Sequence, residues 1–427
     1  MKPNIKKLII TIIAVNLLLM AGQGFAQAVS LDDLIKEAEN NNPKIQQAFH
    51  TWKAAEYKIK SVKSLPDPMA TYGYFGEEVQ TRVGPQEQKF GASQKIPFPG
   101  KLGLKGKAQA KQAQMLQQQY EAVKNEVIKD VKFVFYDLYW VDKAIEVNEE
   151  EKEILEKLEN VAQRKYESNL VPQQAVIKAQ VELSKIIEKL FLLKQNRQTL
   201  TVKMNSLLNR PMSQEMAKIS QISNQEFDYT LEDIVKRTNH SRQEMVSANL
   251  AVEKAEYEKS LARMNYLPDF TLGAEYIEIG GGTTTQANDG EDAWIGMVSV
   301  NVPIWFGKLK SEVEEKKAEL AAAQENQKNV ANQVSFEAQD FYFKITTYKD
   351  IVLLYETALV PQAEQAFDST QISFETGTVS FLDWLDTERT YLQTRLAYYK
   401  AITDYNKSIA FLERVIGGSL QGEQHEK

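Results

Sequence analysis

The chain has no cysteine and only three histidines among its 427 residues. Without cysteine there is no disulfide, no thiolate metal site, no cysteine nucleophile and no lipid-anchored N-terminal Cys. His50, His240 and His425 stand at unrelated places, so no His-based metal or catalytic centre is expected. There is no positive excess either: the formal net charge is −7, which offers no basic field to nucleic acid. No paired carboxylates, Ser/His/Asp set or metal-ligand spacing stands out, so no enzyme activity and no cofactor is expected. Gly280-Gly281-Gly282 follows a strand-like run but opens no helix. It reads as an external loop rather than a phosphate cradle.

Proline is missing from one long stretch, Lys101 to Ser168, whose only glycines are Gly103 and Gly106. Apolar residues recur there in steps of three and four: Leu116, Tyr120, Val123, Val127, Val131, Val134, Leu138, Val141 and Ile145. That spacing predicts a helix roughly 100 Å long, built to lie against other helices. Gly307 to Thr376 repeats the pattern, with Val330, Val334, Phe341, Ile345, Tyr348, Val352, Tyr355 and Leu359.

At the N-terminus, Lys2, Lys6 and Lys7 precede the apolar run Leu8–Met20, and small residues follow. This predicts a secretory signal peptide over residues 1–26, cleaved after Ala26 or Ala28, because the run is short of the ~20 residues needed to span. No later segment is apolar enough to span as a helix. The mature chain is therefore expected outside the cytoplasm, as a soluble protein or as a β-barrel.

The order of the remaining segments repeats. The first repeat covers 27–211, with strands within 69–96, a long helix 101–168 and a return helix 173–208. An irregular connector, 212–230, leads to the second repeat, 231–418, with strands within 270–302, a long helix 307–376 and a return helix 379–415. Residues 419–427 read as a disordered tail. Ala55-Glu56-Tyr57 recurs as Ala255-Glu256-Tyr257, and Leu65-Pro66-Asp67 as Leu267-Pro268-Asp269. Gly100-Lys101-Leu102 recurs as Gly307-Lys308-Leu309, and Tyr166-Glu167-Ser168-Asn169-Leu170-Val171 as Phe374-Glu375-Thr376-Gly377-Thr378-Val379. The first two anchors are displaced by 200 and 202 residues, the last two by 207 and 208. A duplicated architecture follows, mostly α with a small β part.

In the first half the strands are read as Met69–Glu78 and Lys89–Ile96, with Gly84-Pro85 in the turn. In the second they are Phe270–Ile279 and Trp294–Val302. On Phe270–Ile279, Phe270, Leu272, Ala274 and Tyr276 share one face, and Thr271, Gly273 and Glu275 the other. Such strands either span a membrane or form two soluble hairpins packed on the helices. Four strands cannot close a barrel of the usual minimum of about eight, so a spanning chain must oligomerise. The signal peptide and the paired rods favour a pore. Trp294, Trp305 and Phe306 then suit an interface belt, whereas the helix clusters around Phe133–Trp140 and Phe341–Phe343 read as helix packing.

In the order and duplication of these motifs the chain resembles the TolC-like outer-membrane efflux family, over about residues 30 to 418. The carriers are the Leu-Pro-Asp entries at Pro66 and Pro268, the strand exits through Pro97, Gly100, Pro303 and Gly307, and the two helix-to-helix turns. The second turn runs on as Ser380-Phe381-Leu382-Asp383-Trp384-Leu385-Asp386-Thr387-Glu388-Arg389. The resemblance implies a homotrimer with one twelve-stranded barrel in outer-membrane lipid, continued by a long periplasmic α-helical barrel. It implies a periplasmic adaptor (membrane fusion) protein and an inner-membrane pump of the RND type as partners. It makes the chain a passive exit duct for small solutes or metal cations, located in a Gram-negative outer membrane. Leu65-Pro66-Asp67-Pro68 and the Pro97–Lys101 exit look most like the heavy-metal cation exporter branch. A type I protein secretion duct of the same fold, or a soluble extracytoplasmic coiled-coil scaffold, are the alternatives.

By the same resemblance the periplasmic tip and gate fall at Asn169, Phe374, Gly377, Val379, Asp383 and Asp386. Asp383 and Asp386 stand where the family can place carboxylate rings, although two acids on one helix face are also simply a solvated surface. Val379 replaces a basic residue, Phe374 a tyrosine and Asn169 a glycine of some members, so any lock here differs from theirs.

Overall fold

The computed structural model describes residues 30–420, apart from residues 224 and 283. The expected signal peptide lies outside the described residues. Helix α1 (Leu31–Asn41) has Asp32 and Asp33 in its first turn, where carboxylates favour the helix dipole. Asn42 breaks it, and Pro43 opens α2 (Pro43–Lys63), since proline costs nothing at a first turn. Strands β1 (Met69–Thr81) and β2 (Gly84–Ile96) follow, then α3 (Lys101–Glu167) and α4 (Gln173–Leu208). The second half gives α5 (Leu231–Ser241), α6 (Gln243–Met264), β3 (Phe270–Ile279) and β4 (Ala293–Val300). Helix α7 (Phe306–Leu354), a π-helical turn (Tyr355–Leu359), α8 (Val360–Glu375) and α9 (Phe381–Ile416) complete it.

Three expectations need correction. The first hairpin turns at Arg82-Val83, with Thr81 paired to Gly84, so Gly84 and Pro85 belong to β2 rather than to the turn. Thr81 Oγ1 donates to the Gly84 carbonyl at 2.6 Å and closes the two-residue loop. The second long helix is not one rod. Pro361 has no N–H for the Thr357 carbonyl and its ring crowds that group, so the backbone widens over Tyr355–Leu359 before α8 resumes. Gly307 lies inside the first turn of α7, one residue from the expected start of that helix, whereas Gly100, its counterpart in sequence, has φ +99° outside α3. At the C-terminus Gly417 (φ +82°) turns the chain and Leu420 is buried, so the expected disordered tail does not begin at 419. Residues 421–427 lie outside the described residues.

The residues form two compact units. One holds the chain up to Pro43, Asn125–Thr230 and Asp340–Arg414. Its core fills with the apolar seam of α3, among it Val131, Val134, Leu138 and Val141, all 1 % exposed or less. The connector is irregular but tied down. Asp142 accepts from Arg197 at 2.6 Å and from the Ile219 N–H at 2.9 Å, and Tyr405 donates to the Gln225 carbonyl at 2.8 Å. Three α3–α9 ion pairs, Glu126–Arg414, Lys132–Glu413 and Asp137–Lys407, run beside the stacked rings of Phe341 and Phe411, 3.9 Å apart.

The other unit holds Lys44–Lys124, Leu231–Gln339 and the chain from Val415. It carries one antiparallel sheet in the order β1-β2-β3-β4. Its apolar face is the exposed one: Leu272 is 47 % exposed, Tyr276 46 %, Trp294 79 % and Val298 71 %. On the opposite face β2 and β3 are mostly half-buried and polar, with Lys89 and Glu275 paired at 2.9 Å, while Met69 of β1 and Ile295 and Met297 of β4 add exposed apolar side chains. At the end of the sheet, Asp269 accepts from the Phe98 N–H at 3.0 Å and from Lys101 at 2.8 Å, fastening the entry of β3 to the start of α3. Gln94 donates to the Pro66 carbonyl at 2.7 Å and holds the first entry in the same manner.

Candidate functional site

Both helix-to-helix turns are built by the same backbone device. A helix closes by a left-handed residue whose following N–H reaches back five residues, satisfying carbonyls that would otherwise lack a partner. In the first turn Asn169 has φ +56°, and the N–H of Leu170 donates to the Lys165 carbonyl at 2.8 Å. In the second Gly377 has φ +78°, and the N–H of Thr378 donates to the Ser373 carbonyl at 2.9 Å. Asn serves at 169 because its short side chain tolerates the left-handed region. A valine at Gly377 should cost roughly 1–2 kcal/mol, while Asn169→Gly should be neutral to slightly stabilising. Thermal or urea unfolding of the two variants checks this; equal losses would remove the turn geometry from the explanation.

The two turns face a shared cleft of about 580 Å³ in one unit. Leu170, Val171 and Pro172 line it from the first turn, and Phe374, Gly377 and Val379 from the second. Lys165 and Lys178 add two ammonium groups, with Lys165 Nζ 4.5 Å from the centre of the Phe374 ring. Phe374 packs on Phe381 and Trp384, at centroid distances of 6.3 and 6.0 Å. Phe374 thus belongs to an aromatic cluster capped by a cation.

Of the six expected tip residues, Phe374, Gly377 and Val379 line this cleft, and Asn169 shapes the turn beside it. Asp383 and Asp386 do not line it. Asp383 is exposed and caps α9: Ser380 donates to its carboxylate at 2.6 Å, and its own N–H donates back to Ser380 Oγ at 3.3 Å. Asp386 lines a neighbouring hollow of about 390 Å³ with Ile177, Val181, Glu182, Leu385 and Arg389. Pro66, Pro97, Pro268 and Pro303 sit in the irregular backbone between strands and helices. Among the described residues, no group of three or more His, Asp or Glu could hold a metal ion.

One charged residue was missed. Glu388 is 1 % exposed, and its Oε1 has no hydrogen-bond partner. Burial pushes its carboxyl up to about 8, helped by the charges of Glu151 on α3 and Glu182 on α4 and opposed by Arg389. The signal was present: Phe381, Trp384, Leu385, Glu388 and Leu392 occupy one apolar stripe of α9, all buried. A carboxylate in such a stripe marks a position that packing alone would not choose.

Residues 34–210 and 234–418 match the family model described as outer membrane efflux protein. The chain is 24 % identical over 410 residues to outer membrane protein TolC of Vibrio cholerae serotype O1, covering 91 % of each. It is 36 % identical over 59 residues to the cobalt-zinc-cadmium resistance protein CzcC of Cupriavidus metallidurans, 14 % of each chain. The crystal structure of the outer membrane protein VceC from Vibrio cholerae has the same fold, with TM-score 0.76 at 18 % identity over 91 % of this chain and 96 % of that one.

Proposed function

The chain belongs to the outer membrane efflux protein family and is an outer-membrane efflux channel of a Gram-negative bacterium; from that premise we propose that it is the passive exit duct of a tripartite system. The observation that carries the reading is the inverted sheet, whose central strands β2 and β3 are apolar on the exposed face and mostly polar on the other. In water such a face is costly; in lipid it is the required arrangement. The unpaired edges of β1 and β4 could not remain open in hydrocarbon, where each unsatisfied backbone group costs several kcal/mol. Three copies joined edge to edge make a closed barrel of twelve strands, and the long helices supply its periplasmic continuation.

In this reading the cleft between the two turns receives a periplasmic adaptor protein, which links the duct to an inner-membrane pump of the RND type. Apolar walls with Lys165 and Lys178 suit an apolar peptide bearing acidic residues. The transported class is taken to be metal cations, on the local likeness to a protein named for cobalt, zinc and cadmium resistance. Asp383 and Asp386, exposed near the turn, would then be repeated around the threefold axis and concentrate negative field at the opening.

The purified protein should extract with detergent from the outer-membrane fraction as a trimer and conduct in planar bilayers. Asp383→Ala combined with Asp386→Ala should raise its conductance or weaken block by divalent cations. Recovery as a soluble periplasmic monomer would sink the duct, and unchanged conductance and block would remove the two aspartates from the gate.

A further inference from the structure

The strand pairings bring every strand–helix junction to one end of the sheet. Met69 at the start of β1 is close to Ser93, Ile96 at the end of β2 pairs with Phe270 at the start of β3, and Phe270 pairs with Val300 at the end of β4. The end of α2 and the starts of α3 and α7 therefore meet the sheet on the same side. These segments are basic. Between residues 88 and 120 there are six lysines and no acid. Lys95 and Lys101 share Asp269, Lys89 pairs with Glu275 and Lys111 with Glu253. Lys105 and Lys107 are exposed, and the latter approaches the Tyr257 ring at 5.7 Å.

The fold adds further cations beside them. The aliphatic stem of Lys63 lies over Gly106, where any side chain would collide with it. That contact sets the exposed end of α2, with Lys60 and Lys63, against the turn of α3 that carries Lys105 and Lys107. Like charges packed this way repel unless an anion lies among them. Lys308 and Lys310 are exposed in the first turn of α7, with Glu314 one turn on from Lys310. Large apolar side chains are interspersed: Tyr57, Leu65, Trp305 and Phe306 are all 50 % exposed or more. Aromatic rings among lysines are the composition of a membrane–water interface. The far end of the sheet has the opposite sign, with Glu77, Glu78, Glu87 and Glu291 exposed.

We propose that Lys60, Lys63, Lys105, Lys107, Lys308 and Lys310 form a collar that binds anionic phospholipid headgroups at the helical end of the sheet. The inference rests on the membrane reading above and adds to it a lipid class, an orientation and the residues responsible. A basic collar on one side and an acidic rim on the other fix which leaflet each end of the sheet meets. Each lysine near an anionic surface is worth about fivefold in binding, and the attraction is screened by salt.

The test compares the full-length protein with Lys60→Gln/Lys63→Gln/Lys105→Gln/Lys107→Gln, in vesicles of phosphatidylcholine alone or with equal phosphatidylglycerol. Lipid retained on the protein after detergent extraction is then counted by mass spectrometry. The wild type should retain phosphatidylglycerol over phosphatidylcholine by at least about tenfold at low salt, and the variant should lose most of that preference. Equal retention of the two lipids by an inserted wild type, or an inserted variant with the wild-type preference, overturns the collar while leaving the membrane reading intact. A wild type that enters neither vesicle overturns both. Loss of the preference to inorganic phosphate alone would assign a free anion and overturn the lipid. Should the fourfold variant not fold, Lys308→Gln/Lys310→Gln carries the test: reduced preference supports the collar and unchanged preference overturns it.

Discussion

Replacing Glu388 with Gln should flatten the pH dependence of local opening in α9 between about pH 5 and 8. The carboxyl is held neutral in the fold, with its pKa pushed up to about 8 by burial first and by Glu151 and Glu182 next. When α9 opens, the group meets water and releases its proton near its ordinary value of 4.5. Between those two values the folded state binds more protons, so stability falls as pH rises. The contribution is fully present below about 4.5, and nothing further is lost above about 8. Each pH unit in that window costs about 1.4 kcal/mol, on the order of 4–5 kcal/mol across it. Glutamine has nearly the same shape and no proton to lose. Amide exchange over residues 381–392, corrected for intrinsic rates, reads the difference. A variant with the wild-type slope would assign the pH dependence elsewhere.

The second large effect is expected at the pair Lys132–Glu413, 2.5 Å apart and with both side chains no more than 10 % exposed. Removing one partner breaks a buried pair, which costs about 3–5 kcal/mol. Glu413→Leu and Lys132→Met should each destabilise by that amount, whereas the double variant should recover most of it, because two apolar chains of similar volume repack. Urea unfolding of the four proteins at one pH gives the coupling. Additive losses in the double variant would show that packing, rather than charge, dominates the site. The neighbouring pairs Glu126–Arg414 and Asp137–Lys407 are more exposed and should count for less, about 1 kcal/mol or below.

Much of the architecture was legible because long helices repeat their apolar residues at a period that few other structures share. Val127, Val131, Val134, Leu138 and Val141 announced the buried face of α3. The left-handed closure at Asn169 was readable from residue type, since Asn and Gly are the residues that bear it. Proline misled once in each direction. Pro85 suggested a turn but sits in β2, where its carbonyl accepts from Gly280. Pro361 was overlooked within a strong helical pattern, although it opens the α-helix into a π turn. The tip was legible as a place but not as a set of contacts. Asp383 is engaged by Ser380, three residues earlier, while Glu388 is defined by α3 and α4, which lie far away in the chain. Spacing along one helix shows which residues share a face and is silent on what that face will meet.

The π turn also sets the two copies apart. The helical stretch of the first, Lys101–Glu167, reaches its turn without one, whereas that of the second passes through Tyr355–Leu359 on the way from Phe306 to Glu375. A residue added to an ordinary helix rotates everything beyond it by about 100°. A turn bonded one residue wider takes up such a residue where it stands. Tyr355–Leu359 thus sets the phase in which α8 presents Phe374 to its turn, independently of α7.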